Sequence, residues 1–113
     1  MKTIIIKPEG NNMMQLQRNL FEKLYAELCR HNITEFTVNV AVGAVLMDLS
    51  EYRTYPRTVE DVNEIQDNPR NKYPIGMLNG INVFVDPMMQ WSDNRVIGEE
   101  FEATIDMDSS LMI

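Results

Sequence analysis

The segment PIGMLNGINVFVDP, residues 74–87, decides how the rest of the chain is read. Asn79-Gly80 separates two apolar runs, and both central residues of a type I′ turn need positive φ, which Asn and Gly tolerate best. The spacing predicts a tight β-hairpin. In its second arm Ile81, Val83 and Val85 share one face while Asn82 and Phe84 share the other, because strand side chains alternate. Asp86-Pro87 stops that strand, since proline has no N–H to give to a ladder. A two-stranded hairpin is marginal alone, so the remaining sequence has to supply more sheet and a covering layer.

Downstream, RVIG (95–98) reads as a short strand closed by Gly98, and FEATIDM (101–107) as a last one. Upstream, residues 3–6 are β-branched and apolar and are ended by Pro8 and Gly10, which predicts a first strand. The stretch that follows is helical. Leu16, Leu20, Leu24 and Leu28 step by four, widened by Met13, Phe21 and Tyr25 into one apolar stripe. Asn12 with Gln15 three residues later makes a capping-box pattern, and Asn32 is the expected stop.

The β-branched run ITEFTVNV (33–40) predicts another strand, with Asn39 placed to cap a second helix. That helix is expected from the spacing of Val42, Val45, Leu46, Leu49 and Tyr52, and Gly43 within it suggests a close approach to a sheet. Residues 55–74 hold three prolines, many charges and few apolar residues. They read as a long connection, with a turn or two of helix around Val59, Val62 and Ile65 behind a Thr58 cap; such loops are commonly functional.

The fold expected is α+β: a small antiparallel sheet of four to five strands with two main helices on one face, in a single domain spanning residues 1–113. Leu16, Leu20, Leu24, Leu28, Phe36, Val38, Val42, Leu46, Leu49, Ile81, Val83, Val85 and Val96 are the expected core. Nine methionines exceed ordinary usage and are expected to fill gaps in it. Met1 followed by a first strand reads as the start of a complete chain.

Charge narrows the function classes. The formal net charge is −7. Residues 1–57 carry seven Lys/Arg against six Asp/Glu, and residues 58–113 three against eleven. The basic footprint of a nucleic-acid binder is missing, and the acidic half repels phosphates and anionic lipid. No apolar run is long enough to cross a membrane or to serve as a signal peptide. The single cysteine, Cys29, fits a reducing compartment and, lying in the helical pattern, reads as a buried thiol.

No set of residues for catalysis emerges. His31 is the only histidine, so Cys29 and His31 have no Cys or His partners to complete a zinc site. Two residues apart on a helix, they point in different directions and make no nucleophilic pair. His31 reads instead as a helix C-terminal residue facing the dipole. Asp86, Asp93, Asp106 and Asp108 do not follow a calcium-loop pattern. Nucleotide-binding glycine motifs and Gly-x-Ser-x-Gly are absent. The expectation is a protein that is not an enzyme and has no cofactor and no metal. Trp91 with Met88 and Met89 reads either as a cover over the hairpin end or as an exposed patch for a partner.

Two segments taken together carry a resemblance. EFTVNVAVGAVLMDLSEY gives a strand, an Asn cap and a helix; after a polar connection come IGMLNGINVFVDP and NRVIGEEF. This order resembles the C-terminal half of tailed-bacteriophage major capsid proteins of the Hong-Kong-97-like fold. There a capped helix is followed by a G-x-L-x-G-x-x-V-x-V/D-P strand and an x-V-x-V-G strand. The matching positions are Asn39, Gly76, Leu78, Gly80, Val83, Val85, Asp86, Pro87, Val96 and Gly98, with Val40 where proline is frequent. Such capsid proteins are several hundred residues long, so the resemblance implies a reduced core domain.

What it implies about function is a non-enzymatic virus structural or capsid-associated protein acting through protein–protein contacts. The partner would be phage capsid subunits or a second copy of itself, in the virion or the host-cell cytoplasm. The alternative is a small acidic phage-encoded or bacterial regulator or inhibitor that binds a host protein. The candidate partner-binding residues are Tyr55, Arg57, Arg70 and Tyr73 in the polar connection and Met88, Met89 and Trp91 at the corner after the hairpin.

Overall fold

The structure is a computed structural model that describes residues 2–55 and 74–106. The described elements are β1 (Lys2–Ile6), α1 (Met13–Arg30), β2 (Glu35–Val38), α2 (Val40–Met47), β3 (Tyr52–Thr54), β4 (Pro74–Leu78), β5 (Ile81–Val85), β6 (Arg95–Ile97) and β7 (Phe101–Ile105). They form an α+β fold in which all seven described strands join one sheet, in the order β1-β7-β6-β2-β5-β4-β3.

Local sequence explains most of the boundaries. The Asn12 side chain accepts the Gln15 N–H at 2.9 Å and opens α1, while the Gln15 carboxamide reaches back one residue further, to the Asn11 N–H. Asn32 at φ 55° closes the helix: its N–H donates to the Cys29 carbonyl and the Ile33 N–H to that of Leu28. That is a Schellman motif, with Asn in the left-handed position usually held by glycine. In the β4–β5 hairpin Asn79 and Gly80 take φ of 47° and 88°, the type I′ pair expected of Asn-Gly.

The sheet departs from expectation in size and direction. It has more strands than four or five, and it is mixed: β1 runs parallel to β7 and β2 parallel to β5, while the other neighbours are antiparallel. Each parallel pair has a helix or several strands between its members in sequence, so no local turn signal announces it. The extra strand beyond the helices, β3, takes Tyr52 away from α2, which stops at Met47 rather than running on through Leu49 and Tyr52. Tyr52 therefore keeps its burial, at 6 % exposure, but as the first residue of an edge strand.

One face of the sheet carries the core. Following the register, Ile6 and Ile105, Ala103 and Val96, Phe36 and Val83, Ile81 and Leu78, and then Tyr52 lie in rows on the same side. They join Leu20, Phe21, Leu24 and Leu28 of α1 and Ala41, Val42, Val45 and Leu46 of α2 in a single cluster. Of the expected core residues, Leu16 and Val85 are only half-buried. Phe101, Ala103 and Ile105 replace them, because β7 lies inside the sheet rather than at its edge.

Gly43 meets the sheet closely. A Cβ there would sit 2.9 Å from Val85 Cγ2, so the missing side chain lets α2 lie down on β5. The described methionines do not fill the core: Met13, Met14, Met47 and Met88 are exposed, and Met77 and Met89 half-buried. Cys29 is exposed as well, because the buried stripe of α1 runs through Leu24 and Leu28 and the residue after Leu28 turns about 100° away from it. The suggested helical turns around Val59 to Ile65 lie outside the described residues.

Candidate interaction surface

The β5–β6 corner is organised by one residue from elsewhere in the chain. Asn39, wholly buried at the junction of β2 and α2, accepts the Val42 N–H through Oδ1 at 2.7 Å and so caps α2. Its Nδ2 donates to the carbonyls of Gln90, Asp93 and Trp91 at 2.8, 2.8 and 3.1 Å. An amide has two hydrogens, so the three carbonyls share them, and both ends of the Asn39 side chain are committed. The cap was legible from the β-to-α junction. The donation to a loop more than fifty residues on leaves no local signal.

The corner itself is two successive turns. Asp86 begins the first: its carboxylate accepts the Met88 N–H at 2.9 Å and its carbonyl the Met89 N–H at 3.2 Å, with Pro87 at the position where its fixed φ suits a turn. The Asp86 N–H also donates to Val38, which ties the start of the corner to β2. In the second turn the Asp93 N–H donates to the Gln90 carbonyl at 3.0 Å. Asp93 then holds Arg95 through two charge-assisted bonds at 2.6 and 2.7 Å, and Arg95 approaches Glu102 on β7 at 3.6 Å. The hydrogen bonds from Arg95 hold the Asp93 carboxyl below its usual range, against the opposing push of partial burial.

Fixed at both ends, the corner turns Trp91 outward at 64 % exposure and Met88 at 55 %. Trp91 is therefore not a cover over the hairpin end. Met89 is half-buried at the base of the same turn. Val40, next to the Asn39 latch, is another exposed apolar residue at this end of the sheet. The structure thus brings Met88, Met89 and Trp91 together. Tyr55 sits elsewhere: its hydroxyl donates to Asn82 Oδ1 at 2.5 Å, on the sheet face away from the helices. Arg57, Arg70 and Tyr73 lie outside the described residues.

The other titratable groups are dispersed. Asp86 serves its own turn, Asp93 pairs with Arg95, and Asp106 lies 3.8 Å from Lys7; Asp108 is outside the described residues. His31 Nε2 lies 3.6 Å from a Glu27 oxygen and its ring packs on Phe101, while Cys29 points to solvent. Among the described residues no three His, Cys, Asp or Glu side chains gather as metal ligands would. Nor is any helix among them long and apolar enough to cross a membrane. A groove of about 620 Å³ beside the α1 N-terminus contains Arg18, but Glu51 already engages that guanidinium.

The fold and this site define a small α+β protein with a latched, aromatic-bearing corner at the end of a mixed sheet. Compared with protein-family models, with curated proteins and with solved structures, the chain finds no match.

Proposed function

We propose that this is a non-enzymatic, capsid-associated protein that works by surface complementarity, with the 86–93 corner as its contact. The observation that carries the reading is Trp91: a large aromatic held outward on a turn whose backbone is fixed by Asn39. Ordering a loop before binding removes an entropic cost from association, and Trp with Met is the composition of interface centres. The capsid assignment draws on the resemblance. Asn39, the Asp86-Pro87 turn and the 95–98 strand, which carry it, are the parts that build the corner. The virion or the host-cell cytoplasm is the compartment this reading implies.

The test is co-elution with tailed-phage major capsid proteins, followed by size-exclusion chromatography with light scattering. Wild-type protein is expected to shift into the capsid-protein peak. Trp91→Ala is expected to weaken the association about tenfold or more while leaving the urea midpoint unchanged. Failure of the wild type to co-elute counts against the reading. Unfolding of Trp91→Ala would assign Trp91 to the core and remove it as a contact.

A further inference from the structure

The two edges of the sheet are unlike. β3 is three residues long and carries Arg53, whose guanidinium turns back to the Ser50 and Tyr52 carbonyls. Shortness and an edge charge are the usual protections against strand addition. β1, at the other edge, is KTIII, five residues without glycine or proline. The Lys2 N–H donates to Glu100 and the Ile6 carbonyl accepts from Asp106, so Lys2, Ile4 and Ile6 make the bonds to β7. In a parallel ladder the alternate residues then aim their N–H and C=O groups outward, and these are Thr3 and Ile5. Ile5 is 63 % exposed, on the sheet face away from the helices.

Beside this edge runs a groove of about 430 Å³. Ile4, Ile5, Ile6 and Lys7 form one side, and Lys23, Ala26 and Glu27 of α1 the other. The end of the groove is closed, because Lys23 Nζ donates to the Lys7 carbonyl.

We infer that β1 is a homodimer edge, on which a second copy adds its own β1 antiparallel about a two-fold axis through Ile4. The sequence is self-complementary in that register. Thr3 of each copy exchanges both main-chain bonds with Ile5 of the other, which uses the outward groups of both residues. Ile4 meets Ile4 at the non-bonded position, and the Ile5 side chains approach diagonally across the axis. No like charges face each other, because Lys2 falls opposite Ile6. A register one bonding pair further along would set Thr3 opposite Lys7, whose carbonyl Lys23 already holds. Above the axis the two α1 helices run antiparallel, with small Ala26 lining the groove. This surface is separate from the Trp91 corner and does not depend on the capsid reading.

Size-exclusion chromatography with light scattering over a concentration series, on the full chain alone, is expected to give twice the 13.1 kDa chain mass. In that dimer the Thr3 and Ile5 amides resist hydrogen exchange, although no bond among the described residues of one copy protects them. Ile5→Pro removes an outward donor and none of the β1–β7 bonds; with folding verified by circular dichroism, it is expected to be monomeric. Ile5→Lys leaves the backbone intact and sets two cations across the axis, with the same expected result should the proline variant not fold. A wild-type monomer at every concentration overturns the inference. So does a dimer that survives Ile5→Lys, or one whose Thr3 and Ile5 amides exchange freely. Trp91→Ala is expected to remain dimeric, which separates this test from that of the corner.

Discussion

At the scale of one residue, Asn39 has two structural duties that substitutions can separate. Ser keeps an oxygen for the Val42 N–H and offers only a short hydroxyl in place of the amide that reaches Gln90, Trp91 and Asp93. Asp keeps the cap but turns an acceptor toward three carbonyls. Ala loses both. A lost cap costs about 1 kcal/mol, and carbonyls left without a donor about 1–3 kcal/mol more. Urea unfolding is therefore expected to rank the variants Asn39→Ser, then Asn39→Ala at about 2–4 kcal/mol below wild type, with Asn39→Asp no more stable than Asn39→Ala because its buried carboxylate faces three carbonyls. In Asn39→Ser the Trp91 fluorescence anisotropy is expected to fall while the helical circular dichroism holds. If Ser and Ala were equally destabilised and Trp91 unchanged in both, the latch would contribute nothing beyond sterics. The sequence showed the first duty, because a cap is set by its neighbours. The second is made by tertiary folding alone, which is why Asn39 was expected as a cap and not as the centre of the candidate site.

Elements were legible where their signals are local and opaque where they are not. The hairpin, the Leu20–Leu24–Leu28 stripe of α1 and both helix caps follow from periods and turn chemistry, and each lies where the sequence puts it. The pairing of β1 with β7 and of β2 with β5 is set by packing across the whole chain. A central strand such as β6, with only three residues, carries little pattern from which its neighbours can be read. The close contact of α2 with β5 was legible only as a glycine in a helix. It gives a testable coupling. Ala in place of Gly43 gains about 1 kcal/mol of helix propensity, but its Cβ would stand 2.9 Å from Val85 Cγ2. In a Val85→Ala background that obstacle is gone, so Gly43→Ala is expected to stabilise by about 0.5–1 kcal/mol there. In the wild-type background the gain is expected to be cancelled or reversed. A double-mutant cycle read from urea midpoints measures the difference; equal effects in both backgrounds would show that α2 has room to shift.

For the molecule as a whole, two ion pairs, one joining distant parts of the chain and one within the β5–β6 corner, contribute to its behaviour in acid. Arg18 of α1 grips Glu51 just before β3, with contacts of 2.6 and 2.8 Å to one carboxylate oxygen. Arg95 of β6 holds Asp93 at the corner and approaches Glu102 on β7. Both carboxylates are pulled below their ordinary values in the folded state. For Asp93 the main cause is its hydrogen bonds from Arg95. For Glu51 partial burial pushes upward, and the hydrogen bonds from Ser50 and the backbone, with the charge and bonds of Arg18, outweigh it. A carboxylate whose folded value is depressed binds its proton less readily than in the unfolded chain. Its stabilisation is thus fully present above the unfolded range of about 4 and is lost as pH falls through the folded value. Urea midpoints taken from neutral pH downward are expected to stay level with respect to these groups and then to fall below about pH 4. Asp93→Asn, which cannot carry the charge, is expected to be less stable at neutral pH and to lose less on acidification, so that its curve converges with that of wild type in acid. Curves that stayed parallel to the lowest pH would mean that the Asp93–Arg95 pair does not couple protonation to folding, and that the corner is held by its hydrogen bonds without help from that pair.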